Sequence, residues 1–195
     1  MEKVLVTGAT GYIALHCIHQ LLNQGYAVNG SLRSPERKDE IIEALKKDNT
    51  PVENLSLFTF NLTEDDGWDE GMEGCDFLLH VASPLSINTH DEDYFVKPAV
   101  SGVKRAFKFA KKHNVKKVIL TSSVAAILET GEDKQYFDET DWSDPESSEI
   151  SHYSKSKTLA EMAAWDFVKE EGHPFELAVI NPALVTGPSL TNDLG

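Results

Sequence analysis

The chain has 195 residues, of which 41% are hydrophobic and 26% charged, as expected for an ordinary globular domain with a substantial core. Its 32 acidic residues against 18 Lys and Arg give a net charge of −14, which argues against nucleic acid or an anionic membrane surface as a partner. A first strand that starts near Lys3 and the short apolar runs predict a cytoplasmic protein without a signal peptide or membrane span.

The first predicted strand, residues 4–7, runs into a turn rich in glycine and then into a helix. Residues 8–14 read Gly-Ala-Thr-Gly-Tyr-Ile-Ala, and the apolar residues that follow recur on one helical face at Ile13, Cys17, Leu21 and Leu22. Gly8 permits unusual backbone angles, and Gly11 lets a ligand approach the backbone closely. Because a helix N-terminus offers free N–H groups, the turn predicts a pyrophosphate site. By itself, the pattern also fits an ordinary turn between strand and helix.

Strands and helices alternate along the rest of the chain. Further strands are predicted at residues 26–31, 54–60, 76–81, 115–121 and 175–180, and helices at residues 36–47, 94–113 and 151–171. The alternation predicts an α/β fold, a doubly wound parallel sheet of the Rossmann type with strand order 3-2-1-4-5-6. We expect residues 1–195 to form one such domain. Cys17 and Cys75 lack metal-ligand spacing, and no disulfide framework is expected.

Two connecting segments are rich in polar residues. Residues 65–74, between the third and fourth strands, are acidic and read as turns. Residues 129–150 are rich in Asp, Glu and Ser and form a long loop for a compact domain. This loop is a candidate binding or lid segment, and alternatively a solvated excursion.

The end of the second strand predicts which dinucleotide binds. An acidic residue usually holds the adenosine ribose of NAD about 20 residues beyond the glycines, and residues 28–35 contain none. Arg33 stands there instead, beside Ser31 and Ser34, with Arg37 and Lys38 just beyond. A guanidinium and hydroxyls suit a 2′-phosphate, so NADP is favoured over NAD. These cations could alternatively be ordinary surface charges.

A second group of polar residues suggests proton transfer to a carbonyl. Ser122 and Ser123 end the fifth strand, and Tyr153 and Lys157 lie four residues apart on one face of the last helix. A free tyrosine has a pKa of ~10, and a nearby ammonium lowers it toward neutrality. Lys157 could supply that charge and bind the nicotinamide ribose, while Ser123 could hold the carbonyl oxygen. Tyr-x-x-x-Lys alone often arises by chance. The order of glycine turn, serines at the strand end and then Tyr-x-x-x-Lys is far more specific.

These motifs together resemble the extended short-chain dehydrogenase/reductases, most of all the dihydroflavonol reductase and cinnamoyl-CoA reductase group. The matching segments read V-T-G-A-T-G-Y-I-A, H-V-A-S-P (residues 80–84), T-S-S, Y-S-K-S-K-T-L-A-E (residues 153–161) and N-P-A-L-V-T-G-P (residues 181–188). The resemblance implies an oxidoreductase that reduces an aldehyde or ketone with NADPH, with Tyr153 as the proton donor and Ser123 and Lys157 as the other catalytic residues.

The resemblance also implies where the cofactor is bound. Together with the glycine turn and the basic residues, it predicts the cofactor-binding residues Gly8, Thr10, Gly11, Tyr12, Ile13, Arg33, Lys38, Asn61, Leu62, Val81, Ala82, Ser83, Tyr153, Lys157, Pro182, Leu184 and Val185. The expected partner is a small carbonyl or alcohol substrate, and no metal site is expected.

The resemblance further implies that family members continue for well over a hundred residues past the sixth strand, with most of the substrate pocket there. We expect that part to be absent from a chain that ends at Gly195. Two alternatives therefore stay open. One is a dinucleotide-binding protein without catalysis. The other is a nucleotide-sugar epimerase or dehydratase, against which Arg33 argues because such enzymes usually carry an acid after the second strand.

Overall fold

Strands and helices alternate in the computed structural model, which describes residues 1–83, 92–131 and 134–191, with the backbone alone at residues 92–94. The strands are β1 Lys3–Val6, β2 Ala27–Leu32, β3 Leu55–Thr59, β4 Phe77–His80, β5 Lys117–Thr121 and β6 Glu176–Ile180. The α-helices are α1 Tyr12–Asn23, α2 Lys38–Lys47, α3 Trp68–Met72, α4 Glu92–Lys112 and α5 His152–Glu170. Short 3₁₀ helices lie at Pro35–Arg37 and Val124–Ala126.

Within the described residues the six strands form one parallel sheet in the order β3-β2-β1-β4-β5-β6. The central strand β1 pairs on one side with β2, where Val4 lies opposite Val28, and on the other with β4, where Val4 lies opposite Phe77. The chain therefore reverses its direction of winding between β1 and β4, which opens a crevice at the carboxyl ends of these strands. The predicted doubly wound fold and strand order are confirmed.

The residues of β1 supply both halves of the core, because successive side chains in a strand point to opposite faces. Val4 and Val6 pack in a cluster with α1 and α2, including Ile18 and Leu45. Leu5 faces the other way, into a cluster formed with residues of α3, α4 and α5, which include Trp68, Phe107 and Ala164. A strand buried on both faces in this way explains its unbroken apolar run.

Two local predictions about the helices need correction. The predicted apolar face of α1 was Ile13, Cys17, Leu21 and Leu22, whereas the fully buried residues are Ala14, Leu15, Ile18 and Leu22. The helix is rotated so that the small Ala14 is fully buried, and Cys17 and Leu21 are partly buried against the same cluster. The acidic segment 65–74 contains α3, which forms around the fully buried Trp68. Both thiols are free.

The segment between β5 and α5 has no α-helix or strand in its described part, as predicted for the long loop. Its base is attached to the fold, since the Ser143 and Asp144 amides donate to the carbonyl oxygens of Ala126 and Glu129 at 2.8 and 2.9 Å. Its role as a binding or lid segment stays a prediction. No helix in the described ranges is long and apolar enough to cross a bilayer.

Candidate active site

The turn between β1 and α1 is fixed to the end of β2. The Gly8 and Ala9 amides donate to the Ser31 hydroxyl at 3.2 Å and to the Ser31 carbonyl at 2.7 Å. Gly8 has a φ of +77°, and a Cβ built there would lie 3.1 Å from the Cβ of Ala82. Glycine is therefore required twice over at this position, for its backbone angle and for the close approach to the segment after β4.

The first turn of α1 presents its N–H groups without a side-chain cap. Gly11 is the N-cap residue and forms no side-chain hydrogen bond to the helix, while its own amide donates to the Gly8 carbonyl at 2.8 Å. The amides at the start of an α-helix have no partner within the helix and mark its positive end. Thr10, Tyr12 and Ile13 belong to this part of the turn, which has the donor set that a pyrophosphate requires.

The basic residues after β2 differ in what they contact. Arg33 is exposed, and within the described part of the chain it forms no hydrogen bond or ion pair. Arg37 instead forms a bidentate pair with Glu40, with N···O distances of 2.8 and 2.9 Å. Lys38 is half-buried at the start of α2. The free guanidinium beside the turn is therefore that of Arg33.

The segment after β4 is held by one buried hydroxyl. Thr7 Oγ1 accepts the amides of Val81 and Ala82, both at 3.0 Å, and lies 3.0 Å from Nδ1 of His80. Because its two lone pairs are used by these amides, the Thr7 hydroxyl donates its proton to Nδ1, which makes His80 a neutral imidazole. Burial, with a smaller effect of the Lys157 charge, lowers the pKa of His80 to about 3. Ser83 ends the described part of this segment, and Pro84 of the quoted motif lies outside it.

Asn61 and Leu62 follow β3 at the same edge of the sheet. The Asn61 carbonyl accepts the indole N–H of Trp68 at 3.0 Å, which fixes the backbone of this segment against α3. Within the described residues, the Asn61 side chain forms a single long hydrogen bond, which its Oδ1 accepts from the Thr63 amide at 3.4 Å. Leu62 packs against the cluster of α3, α4 and α5. The Asn61 amide thus keeps donors for a ligand.

The structure brings Tyr153 and Lys157 together at the start of α5. Lys157 Nζ lies 5.9 Å from the centre of the Tyr153 ring and 3.5 Å from the carbonyl oxygen of Thr121, at the end of β5. Lys157 is buried, and burial lowers the pKa of its amine to about 8, against the opposing charge of Glu161. The phenol of Tyr153 forms no hydrogen bond with the described residues. An ammonium at this position favours the phenolate form of the tyrosine.

Ser123 is placed by the short 3₁₀ helix that follows β5. Its Oγ accepts the Ala125 amide at 3.1 Å, which leaves the hydroxyl proton free to donate elsewhere. Its carbonyl oxygen accepts from Asn181 Nδ2 at 3.0 Å. The neighbouring Ser122 hydroxyl is buried and has no partner among the described residues. The two predicted serines are therefore distinct, and Ser123 has the ordered hydroxyl.

The segment after β6 connects the serines to the glycine turn. The Pro182 carbonyl accepts the Val124 amide at 3.0 Å. Farther along, a Cβ at Gly187 would lie 2.6 Å from the Tyr12 hydroxyl, and His16 Nε2 donates to the Pro188 carbonyl at 3.0 Å. Between these anchors, Leu184 and Val185 are 90% and 45% exposed. The segment therefore crosses the carboxyl edge of the sheet, where the crevice lies.

Sequence reasoning missed the polar residues that hold this edge together: the buried Thr7 and Glu161, and the half-buried Asn181. Each lies inside a motif that was quoted, but the motif gives no indication of its partner. The four-residue spacing from Lys157 to Glu161 was a usable signal, since it places both on one helical face.

Comparison with known proteins supports the motif-based resemblance. A sequence model of the family described as NAD dependent epimerase/dehydratase matches residues 4–194. Dihydroflavonol 4-reductase of Arabidopsis thaliana is 36% identical over 200 residues, which cover 99% of this chain and 52% of that protein. Cinnamoyl-CoA reductase 1 of Petunia hybrida is 39% identical over 193 residues, with 97% and 56% covered. The chain thus spans about half the length of these relatives.

A solved structure extends the match to three dimensions. Yeast methylglyoxal/isovaleraldehyde reductase Gre2, complexed with NADPH, superposes with a TM-score of 0.83 and 33% sequence identity. The match covers 96% of this chain and 59% of the yeast chain. Sequence and fold therefore agree on the same group of proteins, and the resemblance inferred from the motifs is confirmed.

Proposed function

The chain belongs to the NAD dependent epimerase/dehydratase family, and we propose on that premise that it is the NADPH-binding part of a reductase that converts an aldehyde or ketone to an alcohol. The observation that carries the proposal is the buried amine of Lys157, 5.9 Å from the ring of Tyr153. Burying a cation is unfavourable, and a chain that places one beside a half-buried phenol has the acid that carbonyl reduction requires.

The residues around the crevice fit a phosphorylated dinucleotide. The uncapped start of α1 suits the pyrophosphate, and the exposed Arg33 guanidinium suits a 2′-phosphate. Gly8 lets the turn approach Ala82 closely, which brings the turn and residues 81–83 together. The residues proposed to hold the cofactor are the set named above: those of the turn, Arg33, Lys38, Asn61, Leu62, residues 81–83, Tyr153, Lys157, Pro182, Leu184 and Val185. The yeast relative's complex with NADPH supports this assignment.

The chemistry assigned to the chain's own residues is proton transfer and orientation. NADPH, when bound, supplies the hydride that reduces the carbonyl carbon. Tyr153 gives its phenolic proton to the carbonyl oxygen, which becomes the alcohol hydroxyl. Lys157 stabilises the resulting phenolate by its positive charge. Ser123 donates its free hydroxyl proton in a hydrogen bond to the same oxygen and holds the substrate in line.

The test combines binding with turnover. We expect the 195-residue chain to bind NADPH in a fluorescence titration, and a form extended to the length of the relatives to oxidise NADPH with members of a panel of aldehydes and ketones. Tyr153→Phe should keep NADPH affinity within about threefold and lower kcat by about 10² or more, because it removes the proton donor alone. Tyr136→Phe is the matched control, since Tyr136 is 85% exposed.

The outcomes separate the candidate functions. Turnover that survives Tyr153→Phe would contradict the proposed acid. Binding without turnover on any member of the panel would instead support a dinucleotide-binding protein without catalysis. A chain that binds neither NADPH nor NADH would contradict both.

A further inference from the structure

A buried carboxylate lies next to the proposed site without a role in the chemistry described so far. Glu161 is 6% exposed and lies on α5, one turn after Lys157. Its Oε2 accepts a hydrogen bond from Asn181 Nδ2 at 2.8 Å. A carboxylate at such a depth is unfavourable unless it is hydrogen-bonded or paired with a charge. The hydrogen bonds and charges around Glu161 must therefore offset the unfavourable free energy of burying its carboxylate.

Asn181 joins Glu161 to the backbone of Ser123. The same Nδ2 that donates to Glu161 also donates to the Ser123 carbonyl, at 3.0 Å. An amide nitrogen carries two protons, so both bonds can form at once. The Ser122 amide, which donates to the Ile180 carbonyl at 2.8 Å, ties the same strand ends together. Helix α5 is thereby connected to the ends of β5 and β6 through one side chain.

Among the described residues, few charged or hydrogen-bonding groups face Lys157. Tyr153 and Glu161 face it from its own helix, and the neutral His80 faces it from β4. The Thr121 carbonyl approaches it from β5 at 3.5 Å. Burial lowers the pKa of Lys157, and the negative charge of Glu161 opposes that effect. Glu161 thus favours the protonated amine at a site where burial disfavours it.

We propose that Glu161 is a positioning residue of this site, which fixes the backbone of Ser123 through Asn181 and balances the charge of Lys157. The inference rests on the proposed function only where it treats Ser123 and Lys157 as parts of an active site. The network formed by Glu161, Asn181, Ser123 and Lys157 consists of hydrogen bonds and opposite charges within the chain. It therefore has readouts that require neither cofactor nor substrate.

The first test measures the titration of Lys157 directly. The chain is labelled with ¹³C at the lysine ε-carbon, and the Lys157 signal is identified by its loss in Lys157→Met. Glu161→Gln keeps an acceptor for Asn181 but removes the charge, so the pKa of Lys157 should fall by about 1 unit. Asp166→Asn is the matched control, because it removes one negative charge from an exposed position on the same helix. An equal shift in both variants would overturn the proposal.

Glu161→Asp extends this test should the Gln variant fail to fold. This variant keeps the negative charge on a shorter side chain. The pKa of Lys157 should therefore fall less in Glu161→Asp than in any folded variant with a neutral residue at position 161. A fall in Glu161→Asp as large as 1 unit would also count against a role for the charge.

The second test addresses the hydrogen bonds. Asn181→Ala removes the bridge and leaves the charge of Glu161 in place. We expect hydrogen exchange of the Ala125 and Ala126 amides, which donate to Oγ and the carbonyl of Ser123, to become about tenfold faster. Glu161→Gln should change these amides less. Unchanged exchange in Asn181→Ala would show that Ser123 is held without the bridge.

Failure of this inference differs from failure of the proposed function. If NADPH does not bind but Lys157 responds to Glu161→Gln as expected, the network stands and the proposed function falls. If NADPH is turned over but neither the pKa of Lys157 in Glu161→Gln nor the amide exchange in Asn181→Ala changes, the proposed function stands and Glu161 has no positioning role.

Discussion

At the turn between β1 and α1 the proposed site is formed by the backbone, whereas at the start of α5 the proposed site is formed by buried polar and charged side chains. Gly8 lies where a Cβ would be 3.1 Å from Ala82, and no ionisable side chain is needed to hold the turn. Around α5, Lys157, Glu161 and His80 are each at least nine-tenths buried. The turn depends on the absence of a side chain at Gly8, whereas the region around α5 depends on the opposite charges of Lys157 and Glu161.

This difference predicts different sensitivities. Substitutions at Gly8 and Gly11 should act through steric contact and should be insensitive to pH, because neither residue has an ionisable side chain. Substitutions around α5 should act through protonation, because burial has moved the pKa of Lys157 to about 8 and that of His80 to about 3. Stability and ligand binding measured at several pH values therefore distinguish the two regions.

The largest effect should come from Gly8→Ala. The variant combines a positive φ with a contact of 3.1 Å, and we expect the free energy of unfolding in urea to fall by about 3 kcal/mol at every pH tested. Gly25→Ala is the control, since Gly25 has a φ of +86° and a Cβ added there would meet no atom within 4 Å. It should cost about 1 kcal/mol. Equal losses would show that the contact with Ala82 is unimportant.

A smaller and pH-dependent effect is expected from His80. Its folded pKa of about 3 lies below the unfolded value of 6.5, so the unfolded chain takes up a proton first as the pH falls. Stability should therefore be fully present above pH 6.5 and fall by about 2 kcal/mol by pH 5. In His80→Asn, where Asn can still accept from Thr7, this decline should disappear.

His173→Asn is the control for that measurement. His173 is exposed and has a φ of +58°, which Asn tolerates well, so the decline between pH 6.5 and 5 should be retained. A decline retained in His80→Asn as well would show that other groups cause the acid sensitivity.

The smallest effect concerns the cofactor end of the turn. Arg33→Gln should weaken NADPH binding about tenfold and leave NADH binding unchanged, because the lost bonds are to the 2′-phosphate alone. Arg37→Gln carries the same change of charge four residues away, where the guanidinium is paired with Glu40, and should alter NADPH binding less than twofold. If both variants behave alike, the effect is one of general charge, and Arg33 does not recognise the phosphate.

Much of the fold could be predicted because its signals are local. Each predicted strand lies within two residues of the observed one, since a run of apolar residues bounded by glycine or polar residues is a property of adjacent positions. The strand order followed from the handedness of the crossover connections. The orientation of α1 and the existence of α3 could not be predicted, because they depend on how Ala14 and Trp68 pack against distant parts of the chain.

The same distinction holds for the site. The sequence by itself determined the glycine turn, the basic residue after β2 and the pairing of Tyr153 with Lys157, because helix geometry alone brings residues four apart together. The tertiary structure decided which polar groups are buried and what they contact. Asn181 is 58 residues from Ser123 and 20 from Glu161 along the chain, and only the neighbouring positions of β5, β6 and α5 bring them within hydrogen-bonding distance. The interactions between charges in a buried site depend on such distances in space, and the number of residues between two positions in the sequence does not reveal them.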